Sequence, residues 1–156
     1  MYQPDHTDWK IITLLNQDGR MSSAEIARRL GHVSARTVTN RIDTLIEQGI
    51  INICSIVNPD ALEYCVLADV FIKTQPGLLR KIANKVAELP QVSYVVCATG
   101  DTDIIISVRA HTIEEMYDFV IEKIGKIHGV IHTQTYLLPL VLKDNNSWMP
   151  PGVDIE

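Results

Sequence analysis

Between Ser22 and Gly49 the sequence carries two short helical signatures separated by one glycine, and few arrangements satisfy both. Ser22 stands three residues before Glu25, the spacing of a capping box that opens a helix. Ile26, Ala27 and Leu30 follow at helical spacing, and Gly31 can end the helix in the left-handed conformation. Ser34 offers the next N-cap. Val38, Ile42, Leu45 and Ile46 form a second apolar stripe that runs to Gly49. A helix, a tight turn and a second helix make a helix-turn-helix, in which the second helix leads into the DNA major groove with its N-terminal residues.

The outer face of that second helix is basic and amide-rich. Arg36 and Asn40 can donate to base edges, and Thr37 and Thr39 can reach phosphate or a thymine methyl. The helix N-terminus at Ser34 adds backbone donors for a phosphate, and Arg28, Arg29 and Arg41 suit the DNA backbone. From residues alone, the same face reads equally as a solvated helix surface.

Charge distribution bears on the choice. The net charge of −5 argues against nucleic acid until it is divided. Residues 1–50 hold six Lys/Arg and six Asp/Glu, so the whole excess of acid lies beyond residue 50. From Arg20 to Arg41 there are five arginines against one acid, Glu25. A basic cluster on an otherwise acidic chain suits a DNA-binding head joined to a body with another task.

Upstream of the pair, Thr7 or Asp8 can cap a first helix whose Trp9, Ile11, Ile12, Leu14 and Leu15 supply apolar contacts before Asp18-Gly19. Three helices over residues 1–50 would make the head. Ile50 to Val57 is β-branched and strand-like, so residues 51–61 read as a strand linker.

The pattern from 62 to 143 alternates strand and helix. Cys65–Lys73 is a strand, Gln75-Pro76-Gly77 a turn, and Leu78, Leu79, Ile82, Val86 and Leu89 one face of a helix. Val92–Cys97 and Asp103–Val108 form a hairpin. Thr112 and Glu115 make a capping box for a helix with Ile113, Met116, Tyr117, Val120, Ile121 and Ile124 inward, and Val130–Leu142 is a last strand with Pro139 at a sheet edge. The order βαββαβ is the ferredoxin-like split unit, so the expected class is α+β: a winged-helix-like helix-turn-helix followed by a ferredoxin-like domain. Residues 144–156 hold turn formers and lack periodicity, which suits either disorder or packing across a partner subunit through Trp148.

Cys54, Cys65 and Cys97 are odd in number and widely spaced, which favours buried reduced thiols over disulfides or zinc. His6, His32, His111, His128 and His132 do not share a helical face, so neither a metal site nor catalysis is expected of them, and no motif implies a cofactor. No apolar run approaches a bilayer span and the N-terminus lacks a signal pattern, so the expected location is cytoplasmic.

The whole chain from about residue 5 to 143 resembles the Lrp/AsnC family of transcription regulators. Asp8–Arg20 is similar to the family's opening helix with its Asp-Gly-Arg end, Ser23–Leu30 to the second helix, and Arg41–Ile51 to the end of the recognition helix. Thr99-Gly-Asp-Thr-Asp103 and Thr133-Gln-Thr135 sit where the family has a Gly-x-x-Asp turn and paired threonines. Gly31-His32-Val33-Ser34 departs from the family's usual Leu-Ser turn but keeps the capping serine. The resemblance implies a non-enzymatic regulator, a homodimer that associates further, and a small amino-acid effector bound at the 99–103 turn between subunits or dimers.

For such an effector, Asp101 and Asp103 could pair with the ammonium, while amides and hydroxyls around Thr102, Thr133 and Thr135 take the carboxylate. Gly100 and Asp103 match the family turn directly, with Thr99 beside them. Read as residues alone, the turn is better explained by backbone preference. The sirohaem decarboxylases resemble the same two-domain architecture and use histidines, which keeps an enzyme of that kind as the alternative. A free-standing amino-acid-binding body is disfavoured by the complete head. The open sheet face is expected to be apolar, through Val66, Ala68, Val70, Ile72, Ile104, Ile106 and Val108, and to pair two copies.

Overall fold

The computed structural model describes residues 2–143 and Pro150. The chain divides into two compact units, a head running to Ile56 and a body over Val57–Leu142.

In the head, α1 spans His6–Gln17, α2 Ser23–Leu30 and α3 Ala35–Glu47. The cap of α1 corrects the expectation of Thr7 or Asp8. Asp5 is the N-cap, its carboxylate accepting from the Asp8 N–H at 2.9 Å, while the Asp8 carboxylate accepts from the Asp5 N–H at 3.0 Å. A reciprocal box places Asp8 one turn inside the helix, on the same side as Ile12. For α2, Ser22 Oγ accepts from the Glu25 N–H, but the Glu25 carboxylate turns to arginines instead of completing the box. Gly31 ends α2 at φ +76°, the left-handed value its place required. Ser34 caps α3 by accepting from the Thr37 N–H. Ile11, Ile26 and Val38, one from each helix, are fully buried together, with Leu14, Leu30 and Ile42 packed around them.

The strand expected over Ile50–Val57 is not formed. A strand is held by ladder bonds to a neighbour, and among the described residues this segment has no strand partner. It has no regular secondary structure, and Ile53, Ile56 and Val57 are exposed.

The body follows the βαββαβ order: β1 Val66–Thr74, α4 Leu79–Ala87, β2 Val92–Cys97, β3 Ile104–Ala110, α5 Ile113–Asp118 and β4 Val130–Leu137. The sheet order is β2-β3-β1-β4, with β1 antiparallel to both neighbours. Alternation along β1 and β3 turns Ala68, Val70, Ile72, Ile104, Ile106 and Val108 to the helical side, where they meet Ile82, Val86, Met116 and Phe119. This corrects the expected apolar open face. A strand shows each side chain to one face only, so these residues serve the core. The other face shows Leu67, Phe71 and Ile105 mixed with Asp69, Lys73, Ser107 and Arg109. There Ser107 donates to Asp69 at 2.6 Å, and Phe71 meets Tyr136 edge to face.

Two boundaries differ from expectation. β4 ends at Leu137, short of Pro139, which cannot donate to a ladder. After Asp118 the second body helix becomes π-helical over Phe119–Ile124, with Gly125 N–H donating five residues back to Val120. The wider turn shifts the helical phase. Met116, Phe119, Val120 and Ile124 point inward, while Ile113, Tyr117 and Ile121, expected inside, lie exposed. The Thr112 hydroxyl caps this helix through Glu115 N–H, but the Glu115 carboxylate accepts from His111 N–H, one residue before the box position.

The three cysteines, expected to be buried, are exposed. Among the described residues no helix is long and apolar enough to cross a membrane. The tail with Trp148 lies outside the described residues.

Candidate functional site

The face of α3 away from the head core carries Arg36, Thr37, Thr39 and Asn40, all exposed. Val38 and Leu45 on the inner face are fully buried, which fixes the helix rotation and therefore what the outer face presents. Arg36 and Asn40 have no side-chain partner among the described residues. The hydroxyls are more constrained. Thr37 Oγ1 lies 2.8 Å from Ser34 Oγ, and Thr39 Oγ1 donates to Ser23 Oγ at 2.9 Å, pinning α3 to the start of α2.

The arginines expected at the DNA backbone separate into two groups. Arg28 and Arg29 both donate to Glu25, with side chains 77% and 48% exposed. Ion pairs that exposed are weak and open readily to a phosphate. The two guanidinium groups hold the Glu25 carboxyl below its usual range.

Arg41 is different. It donates to Asp8 at 2.8 Å and to Asp5 at 2.7 Å, and the Asp8 side chain is almost wholly buried. Tyr2 also donates its hydroxyl to Asp8 at 2.7 Å. Hydrogen bonding to Asp8 and then Asp5 raises the already high pKa of Arg41, and the bond to Asp8 likewise raises that of the Tyr2 phenol. Burial works to raise the Asp5 carboxyl, but the Asp8 N–H and the Arg41 guanidinium outweigh it and hold it low. The cluster ties the first residues and α1 to α3, and it occupies the Arg41 cation within the head.

Sequence reading passed over Tyr2 and Asp5 and took Asp8 only as a candidate helix cap. A signal existed for Asp8, which lies at the spacing of Ile12 and Leu15 and so must point inward with them. An acid on an inward stripe requires a cation.

In the body, the turn from Ala98 to Asp103 links β2 to β3. Thr99, Gly100 and Asp101 are exposed, and Gly100 has φ +131°. Thr102 and Asp103 are committed to β1. Thr102 Oγ1 donates to the Ile72 carbonyl at 3.1 Å, and one Asp103 oxygen accepts from both the N–H and the hydroxyl of Thr74, at 2.7 and 3.1 Å. Thr133 and Thr135 lie on β4, opposite Ile72 and Val70. Since β1 separates them from β3, Thr133 is two strand spacings from Ile104, about 10 Å. Within one chain the 99–103 turn and the paired threonines therefore lie on opposite sides of β1, at different strands.

Comparison with known proteins gives this geometry a context. Residues 4–52 match the family model described as winged helix-turn-helix DNA-binding, and residues 67–148 match that of the Lrp/AsnC ligand binding domain. An uncharacterized HTH-type transcriptional regulator of Pyrococcus abyssi is 36% identical over 90% of this chain and 89% of its own length. The chain belongs to the Lrp/AsnC family. The HTH-type transcriptional regulator FL11 of Pyrococcus furiosus is 35% identical, covering 90% of this chain and 92% of its own. Escherichia coli AsnC superposes with a TM-score of 0.83 at 27% identity, over 98% of this chain and all of that one. A transcriptional regulator of Neisseria meningitidis, solved in complex with L-Met, shares the fold with a TM-score of 0.85 at 22% identity, over 95% of this chain and 97% of its own. This family member is a helix-turn-helix transcription regulator, and the named relatives lend nothing to the decarboxylase alternative.

Proposed function

We propose that this regulator reads double-stranded DNA through α3, as a homodimer whose further association is tuned by a small amino acid, and that it acts in the cytoplasm. The observation that carries the DNA reading is the pair Arg36 and Asn40. They lie one helical turn apart, exposed and unengaged, on a helix held from behind by Val38, Leu45 and the Arg41 cluster. Arg36 suits guanine and Asn40 adenine by bidentate bonding, with Thr37, Thr39 and Ser34 close enough to contact phosphate. Arg28 and Arg29 follow the backbone. Two heads on a dimer require half-sites an integral number of helical turns apart.

The effector reading rests on the exposed Thr99-Gly100-Asp101 segment, rigidly backed by Thr102 and Asp103. Asp101 and the free Asp103 oxygen supply acceptors for an ammonium group. Thr133 and Thr135 would close the site from another copy, which accounts for their separation within one chain. The L-Met held by the Neisseria relative is an amino acid of the expected size.

The test is selection of bound sequences from random DNA, with and without the twenty amino acids. A paired, spaced motif is expected, and Arg36→Ala or Asn40→Ala is expected to weaken it by about 1–3 kcal/mol and relax one base position each. Unchanged affinity and base preference in both variants would remove α3 as the reading element. For the effector, calorimetry on the wild type and Asp101→Asn decides: absence of heat with every amino acid rules the site out.

A further inference from the structure

His32 stands in the turn between α2 and α3, where the chain departs from the family's usual Leu-Ser, and the reading of α3 gives it no part. Gly31 ends α2 in the left-handed conformation, and Leu30 and Val33 on either side of the turn pack on the head core. The His32 side chain is left exposed. It comes two residues before the N-cap Ser34, within about 7 Å of chain of the end of α3 that leads into the groove. A phosphate met by Ser34 or Thr37 would lie near the imidazole.

One hydrogen bond fixes what the ring can offer. His32 Nδ1 lies 2.8 Å from the Leu30 carbonyl oxygen. A carbonyl only accepts, so Nδ1 carries the hydrogen and donates it. In the neutral ring Nε2 is then a bare acceptor, which a phosphate oxygen repels. In the imidazolium Nε2 carries a hydrogen too, and the ring becomes a cationic donor. The bond to Leu30 holds in both forms, so proton uptake changes the chemistry at Nε2 alone.

The charged groups on the two helices that the turn joins are Glu25, Arg28 and Arg29 on α2 and Arg36, Arg41, Asp43 and Glu47 on α3. Glu25 is engaged by Arg28 and Arg29, and Arg41 by Asp5 and Asp8. Asp43 is eight residues into α3 from Ala35, about 12 Å along the axis, and Glu47 is farther still. The anion that the His32 cation would meet is thus DNA. We propose that His32 contacts a DNA phosphate only as the protonated ring, so that the head takes up a proton on binding and holds DNA more tightly as the pH falls below neutral. The contact deepens the reading of α3 as the DNA-binding element and rests on it. Linkage fixes the sign: a proton held in the complex and not in the free head favours the complex as protons become abundant.

Fluorescence anisotropy of the full chain on the selected DNA, at fixed salt between about pH 6 and about pH 8, tests it. Wild type is expected to bind about five- to tenfold tighter at the lower pH. His32→Asn keeps a donor for the Leu30 carbonyl but takes no proton, and should bind throughout as wild type does at the higher pH. His32→Lys, a cation over the whole range, should bind throughout as wild type does at the lower pH. Salt titrations of the wild type should show about one more phosphate contact at the lower pH, a difference His32→Asn lacks. Calorimetry in two buffers of different ionisation heat should record proton uptake on binding by wild type and not by His32→Asn. Thermal melts at both pH values select the folded variants for comparison. A ring that serves only to close α2 gives another pattern. Wild-type affinity that does not change with pH, a pH response that survives in His32→Asn, or a His32→Lys protein that binds no tighter than His32→Asn would each overturn the proposal. Arg36→Ala measured at the higher pH keeps the two readings apart. Loss of binding there, together with a flat wild-type pH response, leaves α3 standing and strikes His32 alone.

Discussion

Arg36 and Arg41 are five residues apart on one helix, and their surroundings give them different work. Arg36 is exposed and unengaged, while Arg41 offsets the charge of a buried carboxylate. Removing Arg41 takes the cation from the buried Asp8 carboxylate and leaves only the Tyr2 hydroxyl and the Asp5 N–H donating to it. Arg41→Ala is therefore expected to destabilise the head by an amount near the lower end of about 3–5 kcal/mol, since the arginine is itself partly exposed. Thermal melts measure this. In salt titrations of DNA binding, Arg28→Ala and Arg29→Ala should each flatten the slope by about one phosphate contact. Arg41→Ala should leave the slope unchanged in the folded fraction. Acid adds an independent check. Asp5 and Glu25 are held below their usual carboxyl range, so the unfolded chain takes up their protons first as pH falls. Their stabilisation is complete above the ordinary carboxylate pKa of about 4 and is lost as pH drops through the lower folded values. The melting temperature should fall below about pH 4 and level off above it, and the Asp5→Asn variant should show a shallower fall.

Among the elements, α3 is defined by its ends and its inner stripe. Ser34→Ala removes the acceptor for the Thr37 N–H and should cost about 1 kcal/mol, read as a shift of the unfolding midpoint. Gly129, before β4, has φ +95°, and a Cβ there would lie 2.5 Å from Leu78 Cδ1. Gly129→Ala should destabilise the body by about 1–3 kcal/mol, because a residue with a Cβ is strained at this φ and the Leu78 and Ile82 side chains must also move aside. The helix after Thr112 shows where periodicity stops informing. Its pattern admits a regular helix with Ile113, Tyr117 and Ile121 inside, and nothing in the residue types marks the π turn. The core decides the phase, since Met116, Phe119, Val120 and Ile124 pack into it and Ile121 is left at the surface.

At the scale of the molecule, a neutral head and an acidic body suit the proposed division of labour between DNA and self-association. The salt response should divide likewise. DNA affinity should fall steeply between about 50 and 200 mM salt, whereas pairing through the open sheet face, with Leu67, Phe71 and Ile105, should depend on salt much less. Sedimentation and fluorescence anisotropy over the same salt series separate the two.

Local signals were sufficient for the helix-turn-helix and for the βαββαβ order. Caps at Ser22, Ser34 and Thr112, the left-handed Gly31, and strand alternation in Val66–Thr74 and Ile104–Ala110 each act within a few residues, so a linear reading reaches them. The exposed positions of Arg36 and Asn40 followed from the apolar stripe behind them. Tertiary structure alone decided the partners. Asp8 meets Arg41 across 33 residues and Asp103 meets Thr74 across 29, and no spacing rule links such positions. It also decided which apolar faces stay open. A strand or helix has two sides, and the sequence cannot say which side a neighbour will cover until the chain has folded and the neighbour is in place.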